Sequence, residues 1–123
     1  MFNLGLLYSK GMGVTQDKKK ALYWYELAAE KGIAYAMFNT GLIYDHGDGI
    51  PVDKPKAASW YEMAAENGDI TAMRVIGVMY STGEGVAEDK KKSLHWLKEA
   101  AAHGDSEAKA ILKHPDMSKW FAQ

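Results

Sequence analysis

The residues best suited to chemistry lie in one short loop, YDHGDGIPVD. Asp45, Asp48 and Asp53 offer carboxylates to a cation, and Gly47 and Gly49 offer a flexible backbone to a phosphate. A calcium loop needs further oxygens at alternating positions and a closing glutamate, which this loop lacks. A phosphate-binding loop follows a β-strand, and no strand pattern precedes these residues. The loop is therefore predicted to turn the chain.

The histidines do not form a recognisable catalytic or metal site. His46, His95, His103 and His114 include no pair at the spacing of helical metal ligands, and hydrolase, zinc and nucleotide motifs are missing. Asp45 beside His46 is the remaining acid–base pair, but adjacent helical residues diverge by about 100°. We therefore predict no catalytic residue, no metal ion and no cofactor, and a weak hydrolase using Asp45 and His46 is a remote alternative.

Length and composition limit the classes of protein to which the chain can belong. With 123 residues it forms one compact domain or a short repeat array. A net charge of −1 provides no basic surface for nucleic acid, and no apolar run reaches the roughly 20 residues needed for membrane insertion. The absence of cysteine excludes disulfides. The compartment stays open: we expect a soluble chain in the cytoplasm, or in the periplasm or outside the cell after signal removal.

The chain repeats itself at an offset of 36 residues, without insertions. It can therefore be written as three aligned rows, which begin at Phe2, Phe38 and Arg74. The glycines of the loop recur in every row, whereas Asp45 is replaced by Ser9 and Ser81. The repeated feature is thus a backbone requirement and not a set of ligands. The recurring positions, which we interpret as structural, are Gly5, Gly41 and Gly77; Tyr8, Tyr44 and Tyr80; Gly13, Gly49 and Gly85; Trp24, Trp60 and Trp96; Ala28, Ala64 and Ala100; and Gly32, Gly68 and Gly104.

Each row reads as two helices. In the second row Met37, Gly41 and Tyr44 fall on one helical face, and Gly47 is predicted to end that helix. The next helix is predicted to begin after Asp53, whose carboxylate can cap free backbone N–H groups. We predict its buried face to consist of Ala57, Trp60, Tyr61 and Ala64. A helical glycine costs about 1 kcal/mol relative to alanine, so its recurrence indicates close helix–helix contact.

The pattern A-x-F-N-x-G-x-x-Y-x-x-G-x-G-[VI]-x-x-D-x-x-K-A-x-x-W-Y-x-x-A-A-x-x-G resembles the Sel1-like repeat (SLR), a 36-residue relative of the tetratricopeptide repeat. The resemblance implies an all-α fold, a TPR-like α-solenoid of antiparallel helix pairs in a right-handed superhelix. It also implies a scaffold or adaptor that binds proteins, and it favours a bacterial source. We expect one solenoid domain with repeats at 1–35, 36–71 and 72–107, followed by a C-terminal capping helix and tail at 108–123.

The two ends depart from the repeat. The first row lacks the residues that would cap its first helix, so the chain either begins with a frayed helix or is part of a longer array. A helix is expected from Asp105 or Ser106 through Leu112, followed by a break at Pro115. Apolar residues of the tail are predicted to cap the last repeat, the alternatives being docking on a partner or self-association through exposed solenoid ends. These residues are Met117, Trp120 and Phe121.

A second stripe on the first helix of each pair is predicted to bind the partner. In proteins that this sequence resembles, the stripe lines the concave face, and here it suits a peptide, a helix or a protein surface. Its residues are Phe2, Leu6, Ser9 and Lys10; Tyr35, Phe38, Leu42, Asp45 and His46; and Thr71, Arg74, Val78, Ser81 and Thr82. The alternatives are that Phe2 and Phe38 complete the core and that Asp45, His46 and Arg74 are simply solvated. An inhibitor or immunity protein that blocks one enzyme is an alternative to the adaptor.

One lysine recurs in the first turn of each second helix, at Lys20, Lys56 and Lys92. We interpret this row as a solvated face whose alkyl stems cover apolar neighbours. A basic ridge that binds an acidic partner is the alternative.

Overall fold

The computed structural model describes residues 18–47 and 50–123, which form helices and loops and no strand. The helices are α1 (Lys18–Glu30), α2 (Ala34–His46), α3 (Lys54–Glu66), α4 (Ile70–Thr82), α5 (Lys90–Ala102), α6 (Ser106–Lys113) and α7 (Pro115–Ala122). Helix α2 packs against α3 and α4 against α5, and the pairs join where α3 contacts α4. The predicted α-solenoid is thereby confirmed. Predictions for Phe2, Gly5, Leu6, Tyr8, Ser9, Lys10, Gly13 and Gly49 lie outside the described residues.

Aspartates begin four of these helices. The carboxylate of Asp53 accepts a hydrogen bond from the Lys56 amide at 3.0 Å, which confirms the predicted cap of α3. Asp89 caps α5 in the same way 36 residues later. Asp69 and Asp105 form a second matched pair, at the starts of α4 and α6. Each cap satisfies a backbone donor that the helix leaves free, so these aspartates fix where the helices start.

Glycine ends the first helix of each described pair. Gly47 has a φ of 68° and its N–H donates to the carbonyl of Ile43 at 2.9 Å. Gly83 ends α4 with a φ of 74° and the same type of bond, to Met79. This left-handed conformation strains any residue with a side chain. Gly47 therefore turns the chain, as predicted for the loop that contains it.

The two helices of each pair touch at a glycine. A Cβ atom at Gly41 would lie 2.7 Å from the ring of Tyr61 and 3.3 Å from the carbonyl oxygen of Ala57. A Cβ atom at Gly77 would lie 2.9 Å from Cγ of Leu97. Tyr61 and Leu97 are fully buried, so these contacts form the centre of each pair.

The tryptophans lie at the border of the core. Trp60 is only half-buried, whereas Tyr61 beside it is fully buried, so the prediction that Trp60 belongs to the buried face was too broad. The buried stripe of α3 is centred on Tyr61 and alanines, and Trp60 is about 100° away from Tyr61 around the helix. Trp24 and Trp96 are half-buried as well.

A tyrosine links each described repeat to the one before it. The hydroxyl of Tyr80 donates to the carboxylate of Glu62, and the hydroxyl of Tyr44 lies 3.4 Å from Oε1 of Glu26. Burial, together with the bond to Glu62, raises the pKa of Tyr80. Lys92 Nζ lies 5.3 Å from the centre of the Tyr80 ring, so this lysine of the recurring row makes a cation–π contact.

The C-terminal segment forms two helices where one capping helix and a tail were expected. Helix α6 packs on α5, and α7 folds back to contact both α5 and α6. Ala108 is fully buried and Phe121 packs against the core. Lys90 Nζ lies 5.2 Å from the Trp120 ring. The tail therefore covers the last repeat, as predicted, with the chain breaking at His114 before Pro115.

Gly41→Ala should lower the free energy of unfolding. Tyr61 is fully buried and its hydroxyl is held by Asp45, so the ring cannot move away from a new Cβ atom. Because the new Cβ would lie 2.7 Å from a buried ring, we expect a strain in the upper part of the range of about 1–3 kcal/mol, which exceeds the gain in helix propensity of about 1 kcal/mol. Urea unfolding measures the difference, with Ser59→Ala as the control at an exposed helical position. A midpoint that stays equal or rises for Gly41→Ala would contradict the contact described here.

Tyr80→Phe should destabilise the chain more than Tyr44→Phe does. Both variants remove a hydroxyl that faces a glutamate of the preceding repeat, but the Tyr44 hydroxyl lies 3.4 Å from Oε1 of Glu26, which is long for an O–H···O hydrogen bond. We expect a loss of about 1–2 kcal/mol for Tyr80→Phe and under half of that for Tyr44→Phe. Thermal and urea unfolding of the two variants test this order. Equal losses would mean that the hydroxyls do not differ in their bonding.

Candidate protein-binding groove

An open hollow lies between α4, α6 and the start of α7, on the side of α4 turned away from α5. Its volume is about 530 Å³, and its surface is mostly apolar. The lining residues are Val78, Ser81, Ala110, Ile111, His114, Asp116 and Met117. The opposite side of α4 is buried, at Ile76, Gly77, Met79 and Tyr80. Helix α4 therefore presents one face to the core and leaves the other open at the hollow.

The sequence-predicted stripe includes only part of this lining. Val78 and Ser81 were predicted, whereas the residues of α6 and α7 were not. The repeat offset contains the missing signal, because a step of 36 residues from Arg74 reaches Ala110 and a step from Val78 reaches His114. Helix α6 was interpreted as part of a cap and not as a fourth helix of the stripe, which is why its residues were missed.

The stripe residues on α2 differ in accessibility. Tyr35 and His46 are exposed, whereas Phe38 and Leu42 are half-buried and pack against the core. The ring of Phe38 lies 5.4 Å from that of Tyr61, centre to centre. Phe38 thus contributes to the packing of the pair and keeps a part of its ring accessible.

Asp45 belongs to a polar cluster that joins two repeats. Its carboxylate accepts a hydrogen bond from Tyr61 at 2.9 Å and forms an ion pair with Lys54. The Lys54 ammonium also lies 2.9 Å from the carboxylate of Glu84, in the loop after α4. Burial disfavours the charged form of Asp45, but the bonds from Lys54 and Tyr61 outweigh burial and lower the pKa of this carboxyl. Asp45 is therefore a structural link, and its contacts are with Lys54 and Tyr61 instead of with His46.

Arg74 is held by acidic residues of the next helix. Its Nη1 lies 3.0 Å from the carboxylate of Glu107. Its Nε lies 3.0 Å from Oδ2 of Asp105, although without the direction of a hydrogen bond. Both contacts reach from α4 to the start of α6, so Arg74 ties together two of the helices that line the hollow. Of the remaining predicted residues, Thr71 and Thr82 are exposed, and Ser81 donates a hydrogen bond to the carbonyl of Val78.

Two smaller hollows lie along the second helices. One of about 340 Å³ lies on α1, beside Tyr23 and Glu26, and one of about 250 Å³ lies on α3, beside Ser59 and Glu62. Neither involves the predicted stripe. In the described parts of the chain, His, Asp and Glu form no group of three that could hold a metal ion. No helix among the described residues is long and apolar enough to cross a membrane.

The Sel1 repeat family matches residues 1–33, 34–69 and 70–105. The chain belongs to the Sel1 repeat family. Proteins built from Sel1 repeats are generally scaffolds for protein–protein interaction, and the fold is typically non-catalytic. The helices described here place the Sel1 pairs at α2–α3 and α4–α5. The repeat boundaries at 35, 71 and 107 stay a prediction, each two residues beyond the corresponding end of the family match.

Three solved Sel1-type structures resemble this one. The Sel1 repeat protein from Oxalobacter formigenes is 38% identical, with a TM-score of 0.88 over 99% of this chain and 48% of its own. The protective antigen c5321 of uropathogenic Escherichia coli is 37% identical, with a TM-score of 0.82 over 87% of this chain and 23% of its own. Helicobacter pylori cysteine rich protein B is 25% identical, with a TM-score of 0.75 over 78% of this chain and 72% of its own.

This chain thus spans about half the length of the Oxalobacter protein and about a quarter of the antigen. A comparison with curated protein sequences gives no significant match.

Asp45→Asn should make stability less dependent on pH in the acid range. The pKa of Asp45 is lowered in the folded chain, so its contribution is present above the unfolded pKa of about 3.9 and is lost as the pH falls further. The variant should be less stable than the wild type at neutral pH and should approach it in acid. Urea unfolding at several pH values measures this, with exposed Glu88→Gln as the control. A constant difference between Asp45→Asn and wild type at all pH values would contradict the assignment.

Proposed function

We propose that this chain is a protein-interaction module that binds a peptide or helix of its partner along the exposed face of α2, α4 and α6. The observation that carries the proposal is the open apolar hollow between α4 and α6. A hollow of this size, with a few polar groups at its border, has the composition of a ligand site. The general role of Sel1 repeats as interaction scaffolds supports the same function.

The chemistry of the face favours binding over catalysis. Asp45 is engaged with Lys54 and Tyr61, so its carboxylate is not available as a base for His46. The apolar side chains of Val78, Ile111 and Met117 instead provide surface that a ligand can remove from water. Because Tyr35 and Leu42 continue this face on α2, a ligand longer than the hollow itself would contact two repeats.

Ser81→Arg should abolish partner capture without unfolding the chain. The long charged side chain would fill the hollow that the serine borders. Ser59→Arg is the matched control, since Ser59 borders the smaller hollow on α3. The measurement is a crosslinking pull-down from cells of the native source, with identification of the captured protein and circular dichroism of each variant.

A second pair of variants tests the face on α2. Tyr35 and Tyr23 are both exposed aromatic residues, with 51% and 59% of their surface accessible, but Tyr35 lies on α2, the first helix of its pair, and Tyr23 on α1, the second helix of the preceding repeat. We expect Tyr35→Ala to weaken capture and Tyr23→Ala to leave it unchanged. If Ser81→Arg and Tyr35→Ala both capture the partner as well as the wild type does, the proposed face is wrong.

A further inference from the structure

The second helices α1 and α3 carry equivalent rows of accessible side chains, here called the outer stripe of each helix. At about 100° per residue, four positions of each helix fall within about 80° on one side. They are Lys20, Tyr23, Leu27 and Glu30 on α1, and Lys56, Ser59, Met63 and Glu66 on α3. Leu27 is half-buried and the others are exposed. Because α1 and α3 are equivalent helices of successive repeats, the two stripes lie on the same side of the stack.

The charged ends of each outer stripe oppose the helix macrodipole. Lys20 and Lys56 lie in the first turns of their helices, and Glu30 and Glu66 are the last residues. Neither helix has an acidic residue in its first turn or a basic residue in its last turn. A helix favours the reverse placement, because its N-terminus is partly positive and its C-terminus partly negative. These charges therefore do not stabilise the helices that carry them.

Three of these charges have no opposite charge beside them in the described part of the chain. Lys56 Nζ lies 4.9 Å from the centre of the Tyr44 ring, a contact that attracts the ammonium group without neutralising it. The carboxylates of Glu30 and Glu66 form no ion pair or hydrogen bond with any described residue. The ammonium group of Lys56 and both carboxylates are therefore accessible to a second molecule.

The order of residues in the outer stripe is self-complementary. Lysine precedes glutamate by ten residues, and the two middle positions each lie three residues from one end. When the same helix of a second copy runs antiparallel to α3, Lys56 of one copy therefore faces Glu66 of the other. In the same register Ser59 faces Met63. An antiparallel pairing thus joins opposite charges at both ends of the stripe and places apolar surface in the middle.

One symmetry axis satisfies both helices. The register on α1 has its centre at residue 25 and the register on α3 at residue 61, which are equivalent positions of the 36-residue repeat. A two-fold axis along the stack therefore pairs α1 with α1 and α3 with α3 of the second copy. Tyr23 then meets Leu27 beside the hollow of about 340 Å³ that both residues line. Helix α5 has Ala102 at the position of the glutamate, so it adds no third pair of this kind.

We propose that two copies of this chain associate through the outer stripes of α1 and α3, with each lysine of one copy paired with the equivalent glutamate of the other. Tyr23 and Met63, with 59% and 42% of their surface accessible, provide apolar area that the contact removes from water. The ion pairs determine the antiparallel direction, because a parallel pairing sets like charges opposite one another. The contact goes beyond the proposed function and includes no residue that lines the hollow between α4 and α6.

Sedimentation of the intact 123-residue chain tests for the dimer. We expect a monomer–dimer equilibrium that shifts toward the monomer as salt is added, because exposed ion pairs are screened. Tyr23→Ala should weaken the dimer, since it removes apolar surface from the contact. The proposed function predicts that the same variant captures the partner normally, so the two proposals are tested separately.

Exchange of charge assigns the contact to α3. Lys56→Glu alone and Glu66→Lys alone each place like charges opposite one another twice, so each should weaken self-association by about 10- to 100-fold. Both changes agree with the helix macrodipole, so neither should unfold α3. An equal mixture of the two single variants should form a heterodimer, because each lysine again meets a glutamate. The double variant should associate as the wild type does, for the same reason.

Two control variants make the same changes in charge outside the stripe. Lys109 on α6 and Glu88 in the loop before α5 are both exposed. Lys109→Glu and Glu88→Lys should leave the dimerisation constant unchanged, because neither residue belongs to the stripe. Circular dichroism of every variant verifies that the helices are retained.

Four results would overturn the proposal. A chain that stays monomeric up to about 1 mM would reject the dimer. A dimer that both single variants form as well as the wild type does would reject this contact. A dimer that dissociates on Ser81→Arg and not on Lys56→Glu would place the contact at the hollow between α4 and α6. Loss of partner capture on Lys56→Glu in a chain that is always monomeric would show that a different protein binds the stripe.

Discussion

The structure depends on the close approach of two helices at a glycine. In each described pair a large side chain of the second helix lies where the glycine Cβ would be, Tyr61 at Gly41 and Leu97 at Gly77. This contact sets the separation of the helices and allows the neighbouring alanines to reach full burial. A single pair of helices cannot hide the rest of its apolar surface, so the next pair must cover it. Stacking of the repeats is therefore a consequence of how each pair is packed.

Stacking leaves the first helix of each pair with one free face. Helix α4 packs against α3 and α5 and buries one side of its surface. On that side the hydroxyl of Tyr80 donates to Glu62 on α3, which links the two repeats. The residues of the free face differ from repeat to repeat, and each makes contacts of its own. Phe38 packs on the ring of Tyr61, whereas Arg74, at the equivalent position, pairs with Asp105 and Glu107. The proposed interaction surface is thus the face that packing within and between the pairs leaves partly exposed.

The sequence predicts the packed side of these helices better than it predicts their free face. The repeated positions report the packing, so the helix pairs, the cap at Asp53 and the turn at Gly47 could be predicted from the 36-residue offset. The partners of polar residues could not. Asp45 meets Lys54 and Tyr61, and Arg74 meets Asp105 and Glu107, through distances that depend on how the helices are stacked. The lining residues of α6 could not be predicted because α6 has Lys113 at the position that Gly41 and Gly77 occupy in α2 and α4.

The polar residues of the free face obey one rule. Asp45 and Arg74 are charged residues on helices that pack closely against their neighbours. Each forms an ion pair with a residue of an adjacent segment, Asp45 with Lys54 and Arg74 with Glu107. A half-buried charge needs such a partner, because partial desolvation disfavours it when it is alone. Asp116 is exposed, so it tolerates the lack of a partner within the described chain. Partial burial thus explains the ion pairs that hold α4 to α6, whereas an exposed carboxylate such as Asp116 is solvated without one.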